Sequence, residues 1–264
     1  MGKTEHKSIS SWELAKRNAV PRTMITAYDY PFARLAAEAG IDGILVGDSL
    51  GMTVRGERDT LRVSLDEIIY HTEMVVRAAP ECLIMADMPF GSFEESPSQA
   101  FAGAAKLLKA GADVVKIEGG AAMVETVELL SARAVPVCAH IGLTPQHIRQ
   151  LGGFRKQGKT EEEASRLIAE AIAFVQAGAR FVLMEAVPNE LGAAITRQVS
   201  VPTIGIGAGA DTDAQILVLH DVLGLTNGHV PNFARIYMDG NRLVREAIGR
   251  YVEDVRTKVF PQQK

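Results

Sequence analysis

Apolar residues in this chain gather into short runs rich in Val, Ile and Leu. Each run is followed by a longer stretch whose apolar positions recur three and four residues apart. The short runs predict strands at 23–28, 43–48, 83–87, 114–118, 136–141, 181–187 and 202–206. An eighth strand has two candidates, 215–220 and 232–237. The longer stretches carry helix punctuation. Ser64-Leu-Asp-Glu67 is a capping box, and Ser96-Pro97-Ser-Gln99 sets a cap, a first-turn proline and an N3 glutamine in order. Thr160-Glu-Glu-Glu163 opens a third helix. Three helix-like stretches close on Ala39-Gly40, Ala110-Gly111 and Ala177-Gly178; at Gly111 and Gly178 the glycine supplies the left-handed stop.

Apolar strands behind helices read as buried parallel strands, and their alternation with helices predicts a (β/α)8 barrel. The rival is an open doubly wound sheet. Against it, the first strand leads into Ala27-Tyr28-Asp29-Tyr30 and not into a GxGxxG turn. Gly205-Ile-Gly207-Ala-Gly209 comes late and lacks that spacing; it suits a tight turn or an anion site at a strand end. No linker or low-complexity tract interrupts the chain, so a single barrel domain over 1–264 with a short N-terminal extension is expected.

Composition narrows the function classes. At 264 residues and 47% hydrophobic content the chain can bury one large core. Its net charge is −4 with Lys and Arg scattered, which gives no reason to expect nucleic acid or a membrane surface as partner. No apolar run approaches the ~20 residues of a membrane span, and residues 1–7 lead into no signal-type core, so a cytoplasmic location is expected. Cys82 and Cys138 stand outside any CxxC or Cys/His cluster and read as buried free thiols.

Four apolar runs end on a carboxylate: Asp48, Asp87, Glu118 and Glu185. Parallel strands bring such ends to one side of a barrel, the side on which barrel enzymes work. Any one of these acids alone reads as a cap or a loop residue. Four together repel unless a cation or protons offset them. Asp48, Asp87 and Glu118 offer only oxygen donors, which favours Mg²⁺ or Mn²⁺ over zinc. A metal there would bind a 2-oxo acid through its carboxylate and keto oxygens and stabilise the enolate formed on proton loss. Lys116 shares a face with Glu118; it suits charge balance, a substrate carboxylate, a Schiff base or a plain ion pair. Glu185 follows an apolar stretch that would raise its pKa and fit it for general-base work, or it caps the next turn. Ser49 and His140 are placed to hydrogen-bond a substrate, as well as to serve turn chemistry and packing.

Longer motifs carry a resemblance. Thr26-Ala-Tyr-Asp29, Val46-Gly-Asp-Ser-Leu-Gly-Met-Thr53, Tyr70-His-Thr72, Ala86-Asp-Met-Pro-Phe-Gly91, Val115-Lys-Ile-Glu-Gly-Gly120, His140-Ile-Gly-Leu-Thr-Pro-Gln146, Ile204-Gly-Ile-Gly-Ala-Gly209 and His220-Asp-Val-Leu-Gly224 resemble the ketopantoate hydroxymethyltransferase family, in order and across nearly the whole chain. The resemblance implies a barrel of the phosphoenolpyruvate/pyruvate type. It implies hydroxymethyl transfer from 5,10-methylenetetrahydrofolate to 3-methyl-2-oxobutanoate, giving 2-dehydropantoate for pantothenate synthesis. It further implies Mg²⁺ on Asp48, Asp87 and Glu118, oxo-acid contacts from Asp48, Ser49, Asp87 and Lys116 with His140 nearby, and Glu185 as proton acceptor. A cytoplasmic homo-oligomer, commonly a decamer, is implied as well. Phe154-Arg155 and Asn232 depart from the family's usual Tyr-Lys and Lys, away from the acids. Two other readings use the same parts: a lyase acting on a metal-bound 2-oxo acid, and a metal-binding scaffold without turnover.

Overall fold

Period-two alternation inside the strands builds the architecture. In the computed structural model, which describes residues 7–261, the strands are β1 (Arg22–Thr26), β2 (Gly43–Val46), β3 (Leu83–Asp87), β4 (Val114–Glu118), β5 (Val137–Gly142), β6 (Phe181–Glu185), β7 (Thr203–Ile206) and β8 (Ala214–Leu217). They form a closed barrel in chain order, and every neighbouring pair is parallel. The chain therefore has the (β/α)8 barrel rather than an open sheet. Ala214 is in register with both Ile204 of β7 and Arg22 of β1, which closes the ring. That settles the eighth strand: it overlaps the first candidate, while His220 lies in the short helix Leu219–Val222 and 232–237 holds no strand.

Alternate residues face two cores. Met24, Leu45, Leu83, Met85, Val114, Cys138, Phe181, Leu183, Ile204 and Ile216 fill the barrel. Ile44, Ile84, Val115, Ala139 and Val182 pack outward against the helices. Helix Ile9–Arg17 brings Trp12 under the barrel at the strands' N-terminal ends, edge-on to Phe181 with ring centroids 5.7 Å apart. Truncating a ring buried this fully costs about 3–5 kcal/mol. The first six residues of the expected N-terminal extension lie outside the described residues. Helices Leu65–Ala78, Pro97–Lys109 and Glu161–Gln176 begin at the caps expected from Ser64, Ser96 and Thr160, the first with a full capping box.

The barrel floor carries acids of its own. Asp42 accepts from the Thr23 backbone N–H and hydroxyl, both at 3.0 Å, and pairs with Lys7 and Arg22 at 2.6 and 2.7 Å. Asp213 repeats the arrangement on Thr203, with Lys16 at 2.7 Å. Asp113 accepts the Ile84 N–H at 2.8 Å. Both cysteines are free and buried, and burial pushes each thiol up to about 12. Contacts divide the chain into two compact units, Met1–Leu217 with the whole barrel and Val218–Lys264. The second holds helix Gly240–Arg256, with Leu243, Val244, Ile248, Tyr251 and Val255 spaced as an apolar stripe. No helix among the described residues is long and apolar enough to cross a membrane.

Candidate active site

At the C-terminal ends of four adjacent strands the inward positions switch from apolar to polar. Leu83 and Met85 are followed by Asp87, Val114 by Lys116 and Glu118, Cys138 by His140, and Phe181 and Leu183 by Glu185. Asp48 lies just past the end of β2. Asp48, Asp87, Lys116, Glu118 and His140 are each no more than 3% exposed. The period-two rule puts Asp87, Lys116, Glu118 and His140 on the inside, and parallel pairing puts them at one height, whereas Asp48 is turned in by the chain leaving β2.

The groups touch. Lys116 Nζ lies 2.7 Å from Asp87 Oδ1 and 3.3 Å from Glu118 Oε1. The Asp48 backbone N–H donates to Asp87 Oδ2 at 2.9 Å. His140 Nδ1 stands 3.1 Å from Glu118 Oε1, and its Nε2 lies 3.5 Å from Glu185 Oε2. Nδ1 also lies 3.4 Å from Lys116 Nζ, so each ring nitrogen faces a carboxylate and one of them an ammonium as well. Ser49 Oγ is 2.9 Å from the Tyr28 hydroxyl.

Electrostatics divides the acids by role. Burial, then the charges of Asp87 and Glu118, hold Asp48 well above the usual carboxylate range. Burial also raises Asp87, in spite of Lys116 beside it. Burial would raise Glu118 too, but Lys116, His140 and the Gln146 backbone amide bring it down to about 2. Burial works against the Lys116 ammonium, yet Asp87, Glu118 and Asp48 together raise its pKa. An ammonium held that way is a poor nucleophile, which disfavours a Schiff base. Burial lowers His140 and keeps it neutral. Glu185, chiefly through burial and then through Glu118, is pushed up to about 8. A carboxyl in that range sits where proton transfer at neutral pH is most effective.

Backbone constraints fix Glu185. Gly142, its register partner on β5, has φ +90°, and a Cβ there would fall 2.4 Å from the Glu185 carbonyl oxygen. Only glycine fits. Ala186, directly after Glu185, takes φ +48°, a conformation L-residues rarely hold. It is tied on both sides: its N–H donates to Ile206 O at 2.8 Å, and its carbonyl accepts from Gln157 N–H at 2.9 Å.

The expected three-acid metal set is only partly assembled. Among the described residues no group of three or more His, Cys, Asp and Glu is arranged to hold one ion. The reason is local: Glu118 Oε1 faces Lys116 and His140, while its Oε2 accepts the Gln146 N–H at 3.0 Å. Asp48 and Asp87 fit a hard divalent ion better. Mg²⁺ is commonly held by one or two carboxylates, with water and substrate oxygens completing its shell. When ionised, the four carboxylates outnumber the one ammonium, and a divalent cation would offset the excess negative charge.

Two residues of the cluster escape sequence reasoning. Gln146 is 4% exposed; its side-chain amide donates to Asp48 Oδ2 at 2.9 Å and to Met88 O at 3.0 Å. Tyr28 is 2% exposed, and its carbonyl accepts from the ring of His71. Both lie off the strands, where periodicity says nothing about direction. Their one signal is membership of motifs that also contain site residues.

Comparison with known proteins supplies the remaining observation. A family model described as ketopantoate hydroxymethyltransferase matches residues 6–263. The 3-methyl-2-oxobutanoate hydroxymethyltransferase of Acidithiobacillus ferrooxidans is 56% identical over 259 residues, covering 98% of this chain and 99% of that protein. The enzyme of the same name from Escherichia fergusonii is 48% identical, covering 97% of both. Among solved structures, phosphonopyruvate hydrolase in complex with oxalate and Mg²⁺ superposes with a TM-score of 0.66 at 14% identity, over 94% of this chain and 88% of that one. Phosphoenolpyruvate phosphomutase from Streptomyces platensis gives 0.66 at 15% identity, over 97% and 91%. At such identities the structures speak for the fold alone. The full-length match and the close relatives go further: this chain belongs to the ketopantoate hydroxymethyltransferase family.

Proposed function

We propose that this chain is a 3-methyl-2-oxobutanoate hydroxymethyltransferase, which moves a one-carbon unit from 5,10-methylenetetrahydrofolate to 3-methyl-2-oxobutanoate and yields 2-dehydropantoate. One observation carries the reading: family membership across the chain coincides with a barrel-mouth cluster of four carboxylates around one ammonium. Asp48 and Asp87, with Glu118 behind them, are the residues that would hold Mg²⁺. When bound, Mg²⁺ polarises the keto oxygen and offsets the negative charge that grows as the neighbouring C–H bond breaks. Lys116 and the Ser49 hydroxyl orient the oxo acid. Glu185 takes the proton from C3, and the neutral His140 ring beside it is a second acceptor along the same path. Water adds to the methylene carbon as its two C–N bonds to folate break, which frees tetrahydrofolate and leaves a formaldehyde unit. C3 attacks that carbon, and the formaldehyde oxygen takes up the proton removed from C3 to become the new hydroxyl.

The chain acts in this reading as one catalytic domain of a cytoplasmic homo-oligomer, and the apolar stripe of helix Gly240–Arg256 supports self-association. The test of function is proton exchange. With Mg²⁺ in deuterated water, 3-methyl-2-oxobutanoate should lose its C3 proton, and adding the folate should produce 2-dehydropantoate. Exchange confined to pyruvate would favour the lyase instead. Tight Mg²⁺ binding with neither exchange nor product would favour the scaffold.

A further inference from the structure

Gln146 joins four consecutive strand ends. It sits in the turn Pro145–His147 after β5, and Pro145 supplies no N–H at the first position of that turn. Its own free N–H goes to Glu118 at the end of β4. Its side chain reaches Asp48 beyond β2 and the Met88 carbonyl beyond β3. Both amide protons are used on acceptors, so a flipped amide would set its oxygen against a carboxylate and a carbonyl. The orientation is therefore determined. It leaves Oε1 buried, with no hydrogen-bond partner among the described residues.

We infer that Gln146 is a positioning residue, which holds Asp48 in place for a divalent cation and offers Oε1 as acceptor to an O–H donor arriving with that cation or with the substrate. This rests on the cation reading above. It assigns to an uncharged residue the job that outer hydrogen-bond partners do for metal-ligating groups in general. A carboxylate among like charges turns away from its neighbours unless something holds it, and the Gln146 amide is the side-chain donor that Asp48 has.

The test is Mg²⁺ binding to the full chain by titration calorimetry, with secondary structure checked by circular dichroism. Gln146→Leu keeps the backbone bond to Glu118 and removes both side-chain bonds. Mg²⁺ affinity should fall about 10–100-fold, and the Mg²⁺ concentration that gives half-maximal C3 exchange should rise by the same factor. Gln146→Asn, which keeps an amide too short to reach Asp48, should weaken binding likewise and serves if the leucine variant misfolds. Unchanged affinity in a folded variant overturns the inference and leaves the cation reading standing. Absence of Mg²⁺ binding by the parent chain overturns both. A residue that merely braced the fold would lower thermal stability without moving the affinity.

Discussion

The two ends of this barrel treat carboxylates in opposite ways. At the floor, Asp42 accepts two hydrogen bonds from Thr23 and faces two cations. Burial alone would raise its pKa, but Lys7, Thr23 and Arg22 hold it below the usual range. At the mouth, Asp48 has one side-chain donor in Gln146 and two acids for company, and it lies well above that range. Both flank β2, one at each end of the strand, six positions apart. The floor acid is satisfied and works as a staple between β1 and β2; the mouth acid is held by a single side-chain donor among other acids. Stability sits where charges are matched, and chemistry where they are not.

Substitutions can break this comparison. The largest effect is expected at Glu185→Gln. Exchange of the C3 proton should fall by about 10²–10⁴, while Mg²⁺ and the oxo acid still bind. Unchanged exchange would remove Glu185 from the base role and leave His140 as the candidate. The pH dependence of exchange in the parent chain should follow the same group. Only the carboxylate form accepts a proton, so the rate should climb about tenfold per pH unit below about 8 and level off above it. A profile already flat from pH 6 would contradict a base raised by burial.

The paired aspartates sharpen the contrast on stability. Asp42 has a folded pKa below its unfolded value, so its contribution is present above about pH 4 and disappears as the pH falls through the folded value. Asp42→Asn should therefore lose about 1–3 kcal/mol at pH 7 in urea unfolding. Asp48 has a folded pKa above its unfolded value; it opposes folding increasingly as pH rises between the two, and fully above the folded one. In EDTA, Asp48→Asn should leave stability unchanged or raise it. Adding Mg²⁺ at ~100 times its Kd should stabilise the parent by about 2.7 kcal/mol and the Asp48→Asn chain by far less. Equal losses from the two substitutions in EDTA would erase the distinction between floor and mouth.

Much of the fold is readable along the chain, for a simple reason. β3 and β4 run over the residues that the apolar runs mark, 83–87 and 114–118, because each run ends where the chain must leave the buried wall. The helix starts at Ser64, Ser96 and Thr160 are equally local, since a cap depends on residues three apart. β8 is the weak case. It is four residues long, with Gln215 exposed inside it, and it becomes a strand only because β7 and β1 stand on either side. The strand-end acids Asp87, Glu118 and Glu185 are legible as a set because period-two alternation and parallel pairing carry one-dimensional positions to one height.

What the sequence by itself determined is which residues face inward at the strand ends: Asp87, Lys116, Glu118, His140 and Glu185 follow from alternation, a property of neighbours. What only the tertiary structure decided is how those residues share their charge. Glu118 turning to Lys116, His140 and Gln146, and Asp48 being left beside Asp87, depend on contacts between residues far apart in the chain. Gln146 shows the limit most plainly, since its partner Asp48 is 98 positions away. Such a bond is dictated by how the closed barrel brings its loops together, and Coulombic interactions depend on distance in space, whatever the separation in sequence.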